Sequence, residues 1–232
     1  CLAAESNEKR MLHWFEEMTY IQLQGGRRIA ELEAVKAALR HCYLSVDESV
    51  TDAKFAYDVK SHELEVSIFR GENGEKFPVR MLSDGEKGMI SMVADIAYRM
   101  AVLNPNLLDK VLETPGVILI DEVDLHLHPA WQKRVVRDLT DVFPNVQFIV
   151  TTHSPSVLAN VSGENVWILD HFQLYQPQAK TYGRTIEEIL QEVMDVNVLP
   201  DEILDLQREF DRALDGENYD RAGEILNRMK DI

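Results

Sequence analysis

The spacing of apolar side chains divides the chain into regions of helical and extended character. Over residues 5–41 the apolar positions recur every three or four residues, as on one side of a helix, and Gly25-Gly26 interrupts the pattern. We predict two amphipathic helices packed against a core. The period then changes to two, because residues 54–59 and 64–69 alternate as half-buried strands do, with a turn at residues 60–63.

Helical and extended segments alternate in the middle of the chain. Ser83 opens an amphipathic helix, and Val117 to Ile120 form a short run that is apolar on both faces, which suits the centre of a mostly parallel sheet. Pro129 lies where the first turn of the next helix is expected. Strands are predicted again at residues 146–150 and 166–169. This order indicates an α/β fold.

The C-terminal part of the chain is helical and acidic. Two apolar stripes beyond Gly183, separated at Gly216, predict a helical hairpin. The hairpin is either a docking or dimerisation appendage or a solvated helix pair without a special role. We divide the chain into a helical segment with small antiparallel strands (1–80), an α/β core (81–183) and an acidic helical appendage (184–232).

Composition narrows the classes of protein that the chain can represent. Of its 232 residues 45% are hydrophobic, enough for a sizeable core, and no apolar run approaches the ~20 residues of a membrane span. The 24 basic and 40 acidic residues give a formal charge of −16, which argues against general nucleic-acid coating by this chain. Cys1 and Cys42 cannot form a disulfide framework and lack metal-ligand spacing, so we expect a reducing compartment, the cytoplasm. A first residue other than Met indicates a piece of a longer protein.

Three polar motifs fall at positions where α/β proteins place ligands. The apolar strand at 117–120 ends in Asp121-Glu122, a pair that can hold Mg²⁺ and activate a water, or can simply join a strand to a helix. The next strand ends in a polar cluster that contains His153, whose imidazole can hydrogen-bond a terminal phosphate or serve a structural role. Ser83 and Gly85 open a helix, as in a phosphate-binding turn or an ordinary acidic N-terminal cap.

The order of these motifs resembles that of ABC-type ATPases. Residues 82–86 are similar to the signature loop, with Asp84 and Glu86 in place of the usual second Gly and the Gln, and residues 117–122 are similar to Walker B with its catalytic glutamate. The phrases around His126 and His153 resemble the AAA_21 or overcoming-lysogenization-defect-like group of soluble ABC ATPases. Septu-type and retron-associated anti-phage ATPases belong to that group.

This resemblance implies the α/β fold of a P-loop NTPase, an ABC-type head, with ATP and Mg²⁺ held in a sandwich between two heads of a homodimer. Each motif residue then has an implied role in that dimer. The roles are γ-phosphate contact for Ser83 and Gly85, Mg²⁺ ligation for Asp121, general base for Glu122, cross-dimer link for Asp124, and γ-phosphate sensor for His153.

One required motif is missing. The chain contains no Gly-x-x-x-x-Gly-Lys-Ser/Thr, and residues 71–76 have the wrong spacing and two carboxylates where phosphate would lie. The phosphate loop either lies outside this sequence or has been lost. We therefore expect ATPase activity only together with a portion that carries Walker A.

Three functions remain open. The first is an ATP-dependent conformational switch that regulates an effector such as a nuclease, in anti-phage defence; DNA or RNA would be reached through a partner or a region outside this sequence. The second is a structural module that binds a partner protein without hydrolysis. The third is a metal-dependent hydrolase at His126, His128 and Asp121, because alternating histidines beside a carboxylate can ligate a metal.

Overall fold

The computed structural model describes residues 2–44, 49–197 and 199–230, so Cys1 lies outside the described residues. The chain forms two compact units, Cys1–Val161 and Ser162–Ile232. The boundaries predicted at residues 80 and 183 stay a prediction.

Three long helices make up much of the first unit. Helix α1 (Leu2–Gly25) and helix α2 (Ala30–Leu44) are separated at Gly26, which has a φ of 59°, a backbone angle that glycine adopts without strain. Helix α3 spans Asp84–Leu103. The two predicted N-terminal helices are thus confirmed. Their apolar faces share one core with α3, whose fully buried members include Phe15, Leu32, Val35, Leu39, Met89 and Val93.

An antiparallel sheet of three strands packs on this core. Strands β1 (Asp52–Asp58) and β2 (Glu63–Arg70) were predicted, whereas β3 (Asn73–Pro78) was not. Glycines make the third strand possible. The turn into β3 uses Gly71 at a φ of 65°, and a Cβ on Gly74 would come within 2.8 Å of the Phe69 ring.

A parallel pair of strands positions the candidate site. Strand β4 (Gly116–Ile120) runs parallel to β5 (Val146–Val150), and helices α4 (Pro129–Gln132) and α5 (Val135–Val142) lie between them in the chain. Helix α6 (Pro155–Leu158) follows β5. The expected single helix from Pro129 to Val142 is interrupted at Arg134, whose φ of −122° lies outside the helical range.

The prediction that β4 lies at the centre of a sheet, buried on both faces, was wrong for the described residues. Ile118 and Ile120 pack against the core, but Val117 is 57% exposed and Leu119 75% exposed. Within the part of the chain that the structure describes, β4 and β5 form a sheet of only two strands, which leaves one apolar face uncovered.

In its described residues the second unit contains a small β-hairpin and three α-helices. Strand β6 (Ile168–Asp170) pairs with β7 (Gln173–Tyr175) in the antiparallel sense, so the strand predicted at 166–169 does not extend the parallel sheet. Helix α7 (Ile186–Glu192) precedes the confirmed helical hairpin of α8 (Asp201–Asp215) and α9 (Tyr219–Lys230). The hairpin is closed by a buried cluster of Leu206, Ala213, Ala222 and Ile225.

The predicted α/β class is confirmed, with parallel strands followed by a helical hairpin. Among the described residues, no helix is both long enough and apolar enough to cross a bilayer.

Candidate functional site

The parallel register of β4 and β5 brings two of the sequence motifs to one sheet edge. Ile120 is the partner of Val150, and the Thr151 amide donates to the Ile120 carbonyl at 2.9 Å. One step further, the Val123 amide donates to the Thr151 carbonyl at 2.9 Å. The residues that follow the two strands therefore lie side by side, as expected for the carboxyl edge of a parallel sheet.

Thr151 connects the Asp121 carboxylate to the Glu122 backbone in the Walker B-like motif. Its hydroxyl donates to Asp121 Oδ1 at 2.5 Å and accepts a hydrogen bond from the Glu122 amide at 2.8 Å. Glu122 has a φ of 51°, a left-handed conformation that costs a non-glycine residue about 1–2 kcal/mol. Such conformations persist where the surroundings enforce them, and they are concentrated at functional sites.

Thr152 makes the corresponding contact with the next acidic residue. Its hydroxyl donates to Asp124 Oδ1 and accepts a hydrogen bond from the Ser154 amide at 3.0 Å. His153 lies between Thr152 and Ser154 in the chain, and its side chain is exposed. The structure thus places Asp121, Glu122, Asp124 and His153 on two adjacent chain segments.

The loop between β4 and α4 is held by buried apolar side chains and by a side-chain amide. Val123 and Leu127 are buried. Gln132 donates from its side-chain amide to the Leu127 carbonyl at 3.0 Å and accepts from the hydroxyl of buried Ser154 at 2.8 Å. Asp121 and Glu122 remain exposed above these anchors, where a ligand could reach them.

The signature-like turn packs directly against this loop. A Cβ on buried Gly85 would lie 3.1 Å from the His126 carbonyl oxygen and 3.1 Å from the His128 amide nitrogen, closer than most side chains come to backbone atoms. Ser83 is the N-cap of α3 and forms a capping box with Glu86. The structure therefore brings Ser83 and Gly85 next to the loop that carries Asp121, Glu122 and Asp124.

Sequence reasoning missed the residue that holds Glu86. The Tyr43 hydroxyl, in α2, donates to Glu86 Oε1 at 2.8 Å. Burial tends to raise the pKa of Glu86, but hydrogen bonds from Ser83 and Tyr43 outweigh it and hold the pKa below its ordinary value. Thr151 and Thr152 had been noted only as part of a polar cluster, although two hydroxyls directly after a strand could have indicated ligand-side partners for Asp121 and Asp124.

The residues present fit a magnesium–nucleotide complex better than a metal held by protein alone. Mg²⁺ at nucleotide sites takes one or two carboxylates together with phosphate oxygens and water, so exposed Asp121 suffices on the protein side. The proposed metal-dependent hydrolase finds no support in the described ranges, which contain no group of three or more His, Cys, Asp or Glu that could hold a metal ion. His128 instead accepts the Ala130 amide through Nδ1, at 3.3 Å, as the N-cap of α4.

Comparison with known proteins finds relatives among retron and Septu proteins. The chain is 33% identical over 199 residues to "Retron Ec83 probable ATPase" of Escherichia coli, covering 81% of this chain and 36% of that protein. It is 33% identical over 201 residues to "Septu protein PtuA" of Bacillus thuringiensis, covering 81% of this chain and 48% of that protein. The chain therefore spans about a third to a half of the length of these curated relatives.

Among solved structures, the chain is similar to one described as "Structural biochemistry of ATP-driven dimerization and DNA stimulated activation of SMC ATPases". The two are 20% identical with a TM-score of 0.45, and the match covers 70% of this chain and 92% of that chain. The family model described as "AAA domain, putative AbiEii toxin, Type IV TA system" matches residues 27–159, which include every residue of the candidate site. The chain belongs to this AAA_21 family, and it is similar to a probable retron ATPase and to a Septu protein.

Proposed function

We propose that residues 83–153 form the hydrolytic half of an ATP site in an ABC-type head. The observation that carries the proposal is the bridge from Thr151 to Asp121 and to the Glu122 amide. It fixes the Asp121 carboxylate and the Glu122 backbone at the carboxyl edge of a parallel sheet, beside the strand end that carries His153. Such carboxylates can supply a Mg²⁺ ligand and a general base for phosphoryl transfer to water.

Within this site each exposed group has a distinct role. Asp121 holds Mg²⁺, which when bound neutralises charge on the phosphates. Glu122 orients the attacking water and accepts its proton, and His153 donates a hydrogen bond to the terminal phosphate.

The signature-like turn serves a second head. Ser83 and Gly85 begin the 20-residue helix α3, whose N-terminus presents backbone amides and the positive end of its dipole. We propose that they contact the γ-phosphate of ATP bound by a partner copy, with Asp124 as the cross-dimer link. ATP then joins two copies into a homodimer, and hydrolysis separates them.

The uncovered face of the parallel pair is consistent with a site completed by other strands. Val117, Leu119 and Ile149 are each more than half exposed, and a groove of about 550 Å³ lies between α3 and β4. Large exposed apolar surface and free strand edges are unfavourable in an isolated protein. We propose that strands bearing a Walker A loop cover this face and hold the rest of the nucleotide.

The biological role is proposed from the relatives. Retron and Septu proteins are similar to most of this chain, so we propose a cytoplasmic switch in anti-phage defence that regulates an effector such as a nuclease. With a formal charge of −16, the chain is expected to reach DNA or RNA through a partner rather than through its general surface.

Glu122→Gln in the complete protein tests the assignment. The amide cannot accept the proton, so ATP hydrolysis should fall by about 10²–10⁴-fold while ATP-bound dimers accumulate. Turnover measured by phosphate release, and dimerisation measured by analytical ultracentrifugation with Mg²⁺·ATP, check the two parts. Glu72→Gln, in the exposed β2–β3 turn, is the matched control.

Unchanged turnover in Glu122→Gln would remove Glu122 as the base. A wild-type protein that neither hydrolyses ATP nor dimerises with it would instead favour a structural module that binds a partner protein.

A further inference from the structure

The hydroxyl of Ser83 is already committed within its own turn. Ser83 Oγ donates to Glu86 Oε2 at 2.7 Å, and the Ser83 amide donates to the same oxygen at 2.9 Å. A serine hydroxyl carries a single hydrogen, so it cannot donate to Glu86 and to a phosphate at the same time. In this conformation Ser83 has no proton to offer to the γ-phosphate.

The carboxylate that engages Ser83 is held from its other side. Glu86 Oε1 accepts from the Tyr43 hydroxyl at 2.8 Å, and Tyr43 is only 5% exposed. The Tyr43 ring packs edge-on against Phe55 and Trp131, each with centroids 6.2 Å away. The core thus fixes the tyrosine, and the tyrosine fixes the carboxylate beside Ser83.

Glu86 is negatively charged at neutral pH. Its burial opposes ionisation, but the hydrogen bonds from Ser83 and Tyr43, together with the charge of Arg70 in β2, keep its pKa below the ordinary value. A bound nucleotide would therefore bring phosphate close to a carboxylate that already uses the same donor. Hydrogen bonds to charged groups are stronger than those between neutral groups. Moving the Ser83 hydroxyl from Glu86 to a phosphate therefore costs free energy.

We propose that Glu86 is a latch on Ser83, held by Tyr43, and that ATP must displace this carboxylate from the Ser83 hydroxyl before two heads can close. Resting on the proposed function, the latch raises the ATP concentration at which heads dimerise. It acts on the closing step and leaves the chemistry at Glu122 untouched. Tyr43 and Glu86 are positioning residues, because both act through Ser83.

Glu86→Gln in the complete protein tests the latch. Glutamine keeps the size of the side chain but removes the charge, which weakens its hold on the Ser83 hydroxyl. The Mg²⁺·ATP concentration for half-maximal dimerisation, measured in the Glu122→Gln background, should fall about tenfold. The KM for ATP should fall similarly in the background with Glu122 intact, with kcat little changed.

A rise in that ATP concentration, no change in it, or a loss of kcat at constant KM would overturn the latch, because Glu86 would then assist the reaction or play no part in it. If the wild-type protein does not dimerise at any ATP concentration, the proposed function fails and the latch fails with it. Normal wild-type dimerisation with an unaltered Glu86→Gln variant overturns the latch alone.

Tyr43→Phe provides a readout that does not need ATP. Removing a donor from the carboxylate should raise the pKa of Glu86, measured by carbon-13 NMR of its side-chain carboxyl. Tyr57→Phe is the matched control, since the buried Tyr57 hydroxyl bonds a different carboxylate, that of Glu16. An equal pKa of Glu86 in wild type and Tyr43→Phe would overturn the part assigned to Tyr43.

Discussion

The hydroxyl of Thr151 donates a 2.5 Å hydrogen bond to Asp121 and accepts a 2.8 Å hydrogen bond from the Glu122 amide. One side chain directly after β5 thereby positions the carboxylate proposed for Mg²⁺ and the backbone of the proposed base. Substituting a group that orients a metal ligand in this way typically lowers metal affinity or activity about 10–100-fold.

Thr151→Val removes this bridge while keeping the shape of the side chain. The Glu122 amide loses its acceptor and Asp121 loses its donor, so both carboxylates should become less well positioned. We expect ATP turnover of the complete protein to fall about 10–100-fold, with a smaller effect on folding. Steady-state phosphate release, together with urea denaturation, checks both.

Thr140→Val is the control for this substitution. The Thr140 hydroxyl bonds backbone carbonyls within the exposed side of α5, at Val136 and Arg137, and it lies outside the candidate site. An equal loss of turnover in both variants would contradict the role given to Thr151.

Gly85→Ala should destabilise the first unit. The new methyl group would lie 3.1 Å from backbone atoms of His126 and His128, which cannot move as a flexible side chain can. We expect a loss of about 1–3 kcal/mol in the free energy of unfolding, measured by urea denaturation.

Gly88→Ala, one turn further along α3, separates steric conflict from helix propensity. Its Cβ would meet only the tip of Leu127, at 4.0 Å, so alanine should be neutral or stabilise the protein by up to about 1 kcal/mol. Similar losses in the two variants would show that the contact of Gly85 with the β4–α4 loop is not the cause.

Ile225→Ala should loosen the helical hairpin of the second unit. Ile225 is fully buried against Leu206, Ala213 and Ala222, and truncation leaves a cavity in this small cluster. We expect the local free energy of unfolding of the hairpin to fall by about 2–5 kcal/mol. The loss of amide hydrogen-exchange protection in α8 and α9 measures this change.

Leu226→Ala, at the next position of α9, is the matched control because Leu226 is 42% exposed. It should change protection by no more than about 0.5 kcal/mol. Comparable losses of protection in both variants would contradict the assignment of the hairpin core to this cluster.

The sequence was sufficient to locate the motifs and most of the elements. Apolar positions with a period of two, or of three to four residues, identified β1, β2, α1 to α3 and the C-terminal hairpin. The positions of Asp121, Glu122 and His153 at strand ends followed from their order in the chain. Strand β3 was not predicted because Gly71 and Gly74 are typical of turns, although glycine also permits the close packing that this strand needs.

Other features depended on residues that are distant in sequence and adjacent in space. The hydrogen bonds from Thr151 to Asp121 and from Tyr43 to Glu86 join residues 30 and 43 positions apart, and no local period encodes such pairs. The exposure of Val117 likewise depends on which strands and helices cover β4, not on its own apolar run. The sequence by itself determined the order of the chemical groups, since that order is covalent. Only the tertiary structure decided which groups hold one another, because hydrogen bonds and burial depend on distance in space.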